Sequence, residues 1–120
     1  SISEVIVAAE ELRGRGVERV LVSLGADGAV LVSERGAIVG ESTVRLQRST
    51  VGAGDCFLAG FLSKFSIDES AEDAALVEAL AWGAAAVSLP GTSVPGPGDI
   101  AYTNVQLVWQ PDLDRPLVAT

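Results

Sequence analysis

One run of residues holds most of the chemistry open to this chain: Ser49-Thr50-Val51-Gly52-Ala53-Gly54-Asp55-Cys56-Phe57-Leu58-Ala59-Gly60-Phe61. Small residues just before a helix leave its first backbone N–H groups open to a ligand. Those groups have no intrahelical acceptor, and the helix dipole adds partial positive charge there. The run therefore reads as an anion site whose donors are the amides of Gly52, Ala53 and Gly54, suited to a phosphate. Asp55 stands at the same helix end. A carboxylate beside a phosphate repels it unless a hydroxyl lies between the two. In that arrangement the carboxylate orients the hydroxyl and takes its proton as the oxygen attacks phosphorus. The amides stabilise charge on the group in transfer. The competing reading is structural: a Gly-rich turn followed by an Asp that caps a helix. Two other phosphate motifs are excluded. A Walker A loop ends in Gly-Lys-Ser/Thr, and the sole lysine, Lys64, lies too far along. The dinucleotide fingerprint fails because Phe57 stands where its third glycine belongs.

Composition narrows the field further. The chain has 120 residues and no histidine, which removes Ser-His-Asp and Cys-His catalysis and His-ligated metal sites. Its one cysteine cannot form an internal disulfide, so a reducing cytoplasm is the expected setting. Eight basic residues against sixteen acidic ones give a net charge of −8, and nucleic acid is not an expected partner. Apolar residues at 48% fit a folded chain. No apolar run reaches the roughly 18 residues of a membrane span, so no membrane partner is expected. No basic stretch precedes a short apolar one at the start, so no secretory leader is expected.

The elements that would position Asp55 follow from periodicity. Ile2, Val5, Ile6, Ala9 and Leu12 predict a helix over 1–15, stopped by Gly14 and Gly16. Val20–Leu24 predicts a strand with both faces buried. Gly25–Gly28 is a turn, and Ala29–Ser33 a second strand forming a hairpin with the first. Ala37–Val39 suggests a third strand, and Val44–Gln47 alternates like a half-exposed one. Asp55–Phe65 predicts a helix with Leu58, Leu62 and Phe65 on one face. A further helix is expected over 70–88, with Ser70 and Asp73 as a capping box. Its small residues, Ala81 and Gly83 to Ala86, would permit a close neighbour or ligand. Residues 89–98 read as a Pro/Gly loop, 99–104 as one helical turn, 105–109 as a last strand and 112–120 as a tail.

Single residues divide between bland and sharp readings. Cys56 is a small packed residue or a reactive thiol; the neighbouring carboxylate opposes the second. Trp82 and Trp109 are packing or interface aromatics, or ligand stackers. Asp68, Glu69, Glu72 and Asp73 form a solvated helix start; a metal site is the sharper alternative. Arg45 and Arg48 either steer a phosphate or sit on the surface. Asp27 lies in a turn where Asp is common, and its backbone matters more to this reading than its carboxylate.

The wider pattern resembles the ribokinase-like (PfkB-type) sugar kinases. Thr50-Val51-Gly52-Ala53-Gly54-Asp55 with Ala59-Gly60-Phe61-Leu62 is similar to that family's second signature. Ser23-Leu24-Gly25-Ala26-Asp27-Gly28 resembles its nucleotide segment. Ala84 to Thr92 and the Ser-Thr-Val-Gly-Ala-Gly-Asp wording look most like the C-terminal part of the 1-phosphofructokinase branch. The resemblance implies an α/β chain, the C-terminal portion of a three-layer α/β/α fold with a short sheet, hairpin strands and flanking helices. It implies Asp55 as the catalytic base and Gly52, Ala53 and Gly54 as the anion hole. It implies ATP contacts from Ser23, Leu24, Gly25, Ala26, Asp27 and Gly28 together with Gly54 and Asp55, and an adenine wall from Ala84 to Ser88. ATP with Mg2+ would phosphorylate a sugar phosphate, fructose 1-phosphate in that branch, yielding fructose 1,6-bisphosphate. Family members are much longer and carry the sugar-binding part elsewhere. The chain is therefore expected to be inactive alone and to self-associate through an open sheet edge near Val20–Leu24. A nucleotide- or phosphate-binding piece without catalysis is the alternative. Ser49 stands where many family members carry an Asp that helps bind a monovalent cation, which leaves potassium activation open.

Overall fold

The structure is a computed structural model that describes residues 1–44, 47–91 and 93–118. It divides into two compact units, residues 1–41 with 107–120 and residues 42–106.

In the first unit, helix α1 (Ile2–Gly14) leads into β1 (Val20–Ser23), β2 (Ala29–Ser33) and β3 (Gly36–Ser42). Strand β4 (Val105–Val108), within which the unit boundary falls, completes a sheet ordered β1-β2-β3-β4. The β1–β2 pair is an antiparallel hairpin with Val20 opposite Val32 and Ser23 opposite Ala29. β2 and β3 are also antiparallel, with Ala29 opposite Gly40 and Ser33 opposite Gly36. All five residues of β2 are buried, which explains its unbroken apolar wording. The core gathers Ile2, Ala9, Val30, Val32 and Val39, with Val5, Ile6, Val20, Leu24, Val108 and Leu117 packed against it. β1 departs from expectation. It is half-buried rather than covered on both faces, because it stands at the end of the sheet.

The second unit is two packed helices, α2 (Ala53–Phe65) and α3 (Glu72–Val87), followed by short 3-10 turns at Pro97–Asp99 and Tyr102–Asn104. Their contact is set by small residues. A methyl on Gly60 would lie 2.7 Å from the Glu78 carbonyl, and one on Gly83 would lie 3.5 Å from Phe57 Cβ. This closeness corrects the expected face of α2. Gly60 and Phe61 are its buried residues, whereas Leu58 and Leu62 are about half exposed. The capping box at Ser70 is also corrected. α3 starts at Glu72 without a side-chain cap, and the Ser70 hydroxyl donates to Asp68 Oδ1 instead, at 2.6 Å. Nor is the acidic start wholly solvated, since Glu72 is completely buried. Of the strand expected over Val44–Gln47, Val44 and Gln47 lie in no strand, and Arg45 and Leu46 fall outside the described residues. Among the described residues, no helix is long and apolar enough to cross a membrane.

Candidate active site

The turn before α2 is shaped by Gly52, whose φ of 79° is left-handed and whose missing Cβ faces open space. Ahead of it the Val51 amide donates to Ser49 Oγ at 3.2 Å. The Ala53 amide turns back to the Thr50 carbonyl at 3.3 Å, and the Cys56 amide donates to the Gly52 carbonyl at 3.0 Å. The amides of Gly52, Gly54 and Asp55 have no acceptor among the described residues. Of the three amides read as an anion hole, the structure thus leaves Gly52 and Gly54 open and engages Ala53. It adds Asp55, whose own amide the motif reading passed over. A helix that starts two residues earlier than its periodicity indicated accounts for the change.

That earlier start makes Asp55 the third residue of α2, exposed to solvent. A capping carboxylate would accept from a backbone amide of the preceding turn. No side chain caps α2, and the Asp55 carboxylate has no hydrogen-bond or ion-pair partner among the described residues. Cys56 beside it is a free, half-buried thiol. The arrangement offers three open N–H donors and one unengaged carboxylate within a single helical turn. It suits an anion such as an ATP phosphate, with a proton acceptor next to it.

The second motif forms the β1–β2 turn. Ser23 ends β1, and the Leu24 amide donates to the Gly28 carbonyl at 2.8 Å. The Asp27 amide returns to Leu24 at 3.1 Å and that of Gly28 to Gly25 at 3.2 Å. Gly25 and Gly28 have φ of 58° and 98°. A side chain at Gly28 would also collide with the Gly40 carbonyl. Gly25 and Ala26 are exposed, while Asp27 and Gly28 are buried. Ser23–Gly28 belongs to the first unit and Gly52–Asp55 to the second.

The backbone of Asp27 carries more of the sequence reading than its carboxylate, and the structure shows what the carboxylate does. Oδ1 accepts from Arg115 Nη1 at 2.7 Å, and Oδ2 from the Val118 amide at 2.8 Å. Residues 112–118 are consequently anchored rather than a loose tail. Arg115 was missed; the available signal was a single cation in residues 110–118, a segment whose other charged residues are Asp112 and Asp114.

Within the second unit lies a cavity of about 280 Å³, lined among others by Arg48, Ala84, Ala85, Ser88, Asp99 and Asn104. Ala84 to Ser88, read as an adenine wall, thus contributes Ala84, Ala85 and Ser88 to it. None of Gly52, Ala53, Gly54 and Asp55 lines it. Trp82 hydrogen-bonds Glu78 Oε2 at 3.0 Å, and Trp109 is 72% exposed. Arg45 and Thr92, also drawn into the readings above, lie outside the described residues.

Solved structures place this fold among the ribokinase-type α/β kinases. Phosphofructokinase-2 from Escherichia coli, crystallised with potassium, matches with a TM-score of 0.76 and 30% identity, covering 82% of this chain and 32% of that one. Aminoimidazole riboside kinase from Salmonella enterica, complexed with aminoimidazole riboside and an ATP analog, matches with a TM-score of 0.64 and 34% identity, covering 72% and 30%. The chain belongs to the pfkB family of carbohydrate kinases, whose model matches residues 1–97. A 1-phosphofructokinase from Haloferax volcanii is 39% identical over 98 residues, 82% of this chain and 32% of that protein. The chain therefore spans about a third of the length of the relatives it matches.

Proposed function

We propose that this chain supplies the nucleotide side and the catalytic base of an ATP-dependent sugar-phosphate kinase. The transfer runs from ATP to the 6-hydroxyl of fructose 1-phosphate, giving fructose 1,6-bisphosphate and ADP. The observation that carries the reading is the Asp55 carboxylate, which sits in the first turn of α2 yet caps nothing. Asp55 takes the hydroxyl proton as that oxygen attacks the γ-phosphorus. The Gly52, Gly54 and Asp55 amides hold the phosphoryl oxygens. The fit to a phosphate rests on those unaccepted amides and on the open space beside Gly52 and Gly54. Magnesium, held mainly by phosphates and water, would neutralise phosphate charge. The Ser23–Gly28 turn contacts ATP. Relatives three times as long support a further point: the 120 residues alone do not turn over, because transfer needs both substrates positioned. A reducing cytoplasm is the proposed setting, on the strength of the single free thiol. Self-association through the edge of β1 is proposed as well.

Asp55→Asn, made in the full-length polypeptide carrying this chain, tests the base. The expected loss in kcat is about 10²–10⁴-fold, with ATP affinity kept within about threefold by calorimetry. Undiminished turnover would refute the assignment. In the non-catalytic alternative, the wild-type polypeptide binds ATP and shows no turnover to lose.

A further inference from the structure

The family model ends at residue 97, yet a residue beyond it grips the turn read as the nucleotide segment. Arg115 Nη1 lies 2.7 Å from Asp27 Oδ1, and Arg115 Nη2 reaches the Asp27 carbonyl at 3.5 Å. The Val118 amide donates to Asp27 Oδ2 at 2.8 Å. The Asp27 side chain is 5% exposed and that of Arg115 33%. Both carboxylate oxygens are thus held from one strap, Asp112–Val118. The strap has its own anchors: Leu117 packs on the first unit's core, the Leu113 carbonyl accepts from the Ser3 amide at 2.9 Å, and the Arg115 amide donates to the Asp112 carbonyl at 3.2 Å. The turn it grips is short, and two of its residues have left-handed backbones. Its exposed members, Gly25 and Ala26, have no side chain able to fix them.

We propose that Arg115 is a positioning residue for nucleotide binding, acting through Asp27 to hold the Leu24–Gly28 turn, and with it the exposed backbone of Gly25 and Ala26, in its ATP-competent arrangement. The inference rests on the reading of that turn as an ATP contact. A guanidinium fork suits the task, because its planar donors fix a carboxylate's orientation as well as its charge. Removing the cation leaves a buried carboxylate with less compensation, and the local cost falls on the turn that carries it.

The test uses Arg115→Ala, Arg115→Lys and Asp27→Asn in the full-length polypeptide. Hydrogen exchange at residues 24–28 is read beside steady-state kinetics. Arg115→Ala should speed exchange there about tenfold, leaving α3 unchanged. It should raise KM for ATP about five- to tenfold, with kcat and the sugar-phosphate KM within about twofold. Arg115→Lys should recover part of both effects, and Asp27→Asn should follow Arg115→Ala. Faster exchange with an unchanged ATP KM overturns the proposal, as does no change in either. So does an equal fall in all kinetic parameters that follows melting temperature across the three variants, because that marks a purely structural clamp. A wild-type polypeptide that binds no ATP refutes the nucleotide reading itself and the inference with it. The two failures are distinguishable, since one appears in the wild type and the other only in the variants.

Discussion

The phenol of Tyr102 donates to Glu78 Oε1 at 2.8 Å, across 24 residues of sequence, while Trp82 Nε1 holds the other carboxylate oxygen at 3.0 Å. Glu78 is buried on α3, and these two donors compensate its carboxylate. The hydrogen bond to Glu78 is the main cause that raises the Tyr102 pKa above 10.0, with burial and the negative charge of Glu78 adding to it. Tyr102 is the only tyrosine, so absorbance at 295 nm reports this one phenol. Its titration midpoint should lie above the ordinary value and fall back in Glu78→Gln. A folded-state value above the unfolded one means that the stabilisation is complete below about pH 10 and lost as pH rises through the folded value. Tyr102→Phe should cost about 0.5–1 kcal/mol at pH 7, since the ring is half exposed. The difference from wild type should shrink above pH 10 in urea melts. A midpoint at the ordinary value would contradict the contact.

Two glycines of α2 separate folding from chemistry. A methyl at Gly60 would meet the Glu78 carbonyl at 2.7 Å and Trp82 Cβ at 3.1 Å. Backbone cannot yield as a flexible side chain does, so Gly60→Ala should destabilise by about 1–3 kcal/mol despite alanine's better helix propensity. Denaturant midpoints read this directly.

Gly54 is the contrasting case. Nothing lies within 4 Å of the methyl it would gain, so Gly54→Ala should leave stability unchanged or raise it by about 0.5 kcal/mol. The same methyl would stand beside the open amides where a phosphate approaches. In the full-length polypeptide, turnover should therefore fall at least about tenfold. Full activity in a stable Gly54→Ala variant would remove the anion-hole role.

What could be read ahead of the structure was whatever neighbours in sequence decide. β2 was legible as Ala29–Ser33 because a turn glycine precedes an apolar run buried on every residue. The Gly-Ala-Gly-Asp start of α2 was legible because small residues and a carboxylate have local consequences. What escaped depended on distant partners. Hydropathy assigns α2 a face at Leu58 and Leu62, yet α3 comes closest where there is no side chain, at Gly60. Charge counting puts every carboxylate in water, yet Glu78 is compensated from Tyr102, and Asp27 from Arg115, 88 residues away. Register and turn chemistry are local; compensation of buried charge is not.

The end strand of the sheet carries the last prediction. β1 is half-buried, and no strand pairs with its outer edge among the described residues. Val20-Leu21-Val22 has high β-propensity and no proline to block pairing. An apolar edge of this kind is a template for a strand from another copy. For the 120-residue chain, the weight-average sedimentation coefficient should rise with concentration across the micromolar range. Leu21 pairs with the fully buried Leu31, so Ser23, the exposed residue of β1, is the position at which to place a charge. Ser23→Lys should hold the coefficient flat while far-UV circular dichroism stays that of the wild type. A wild-type coefficient independent of concentration would show that the edge is not used.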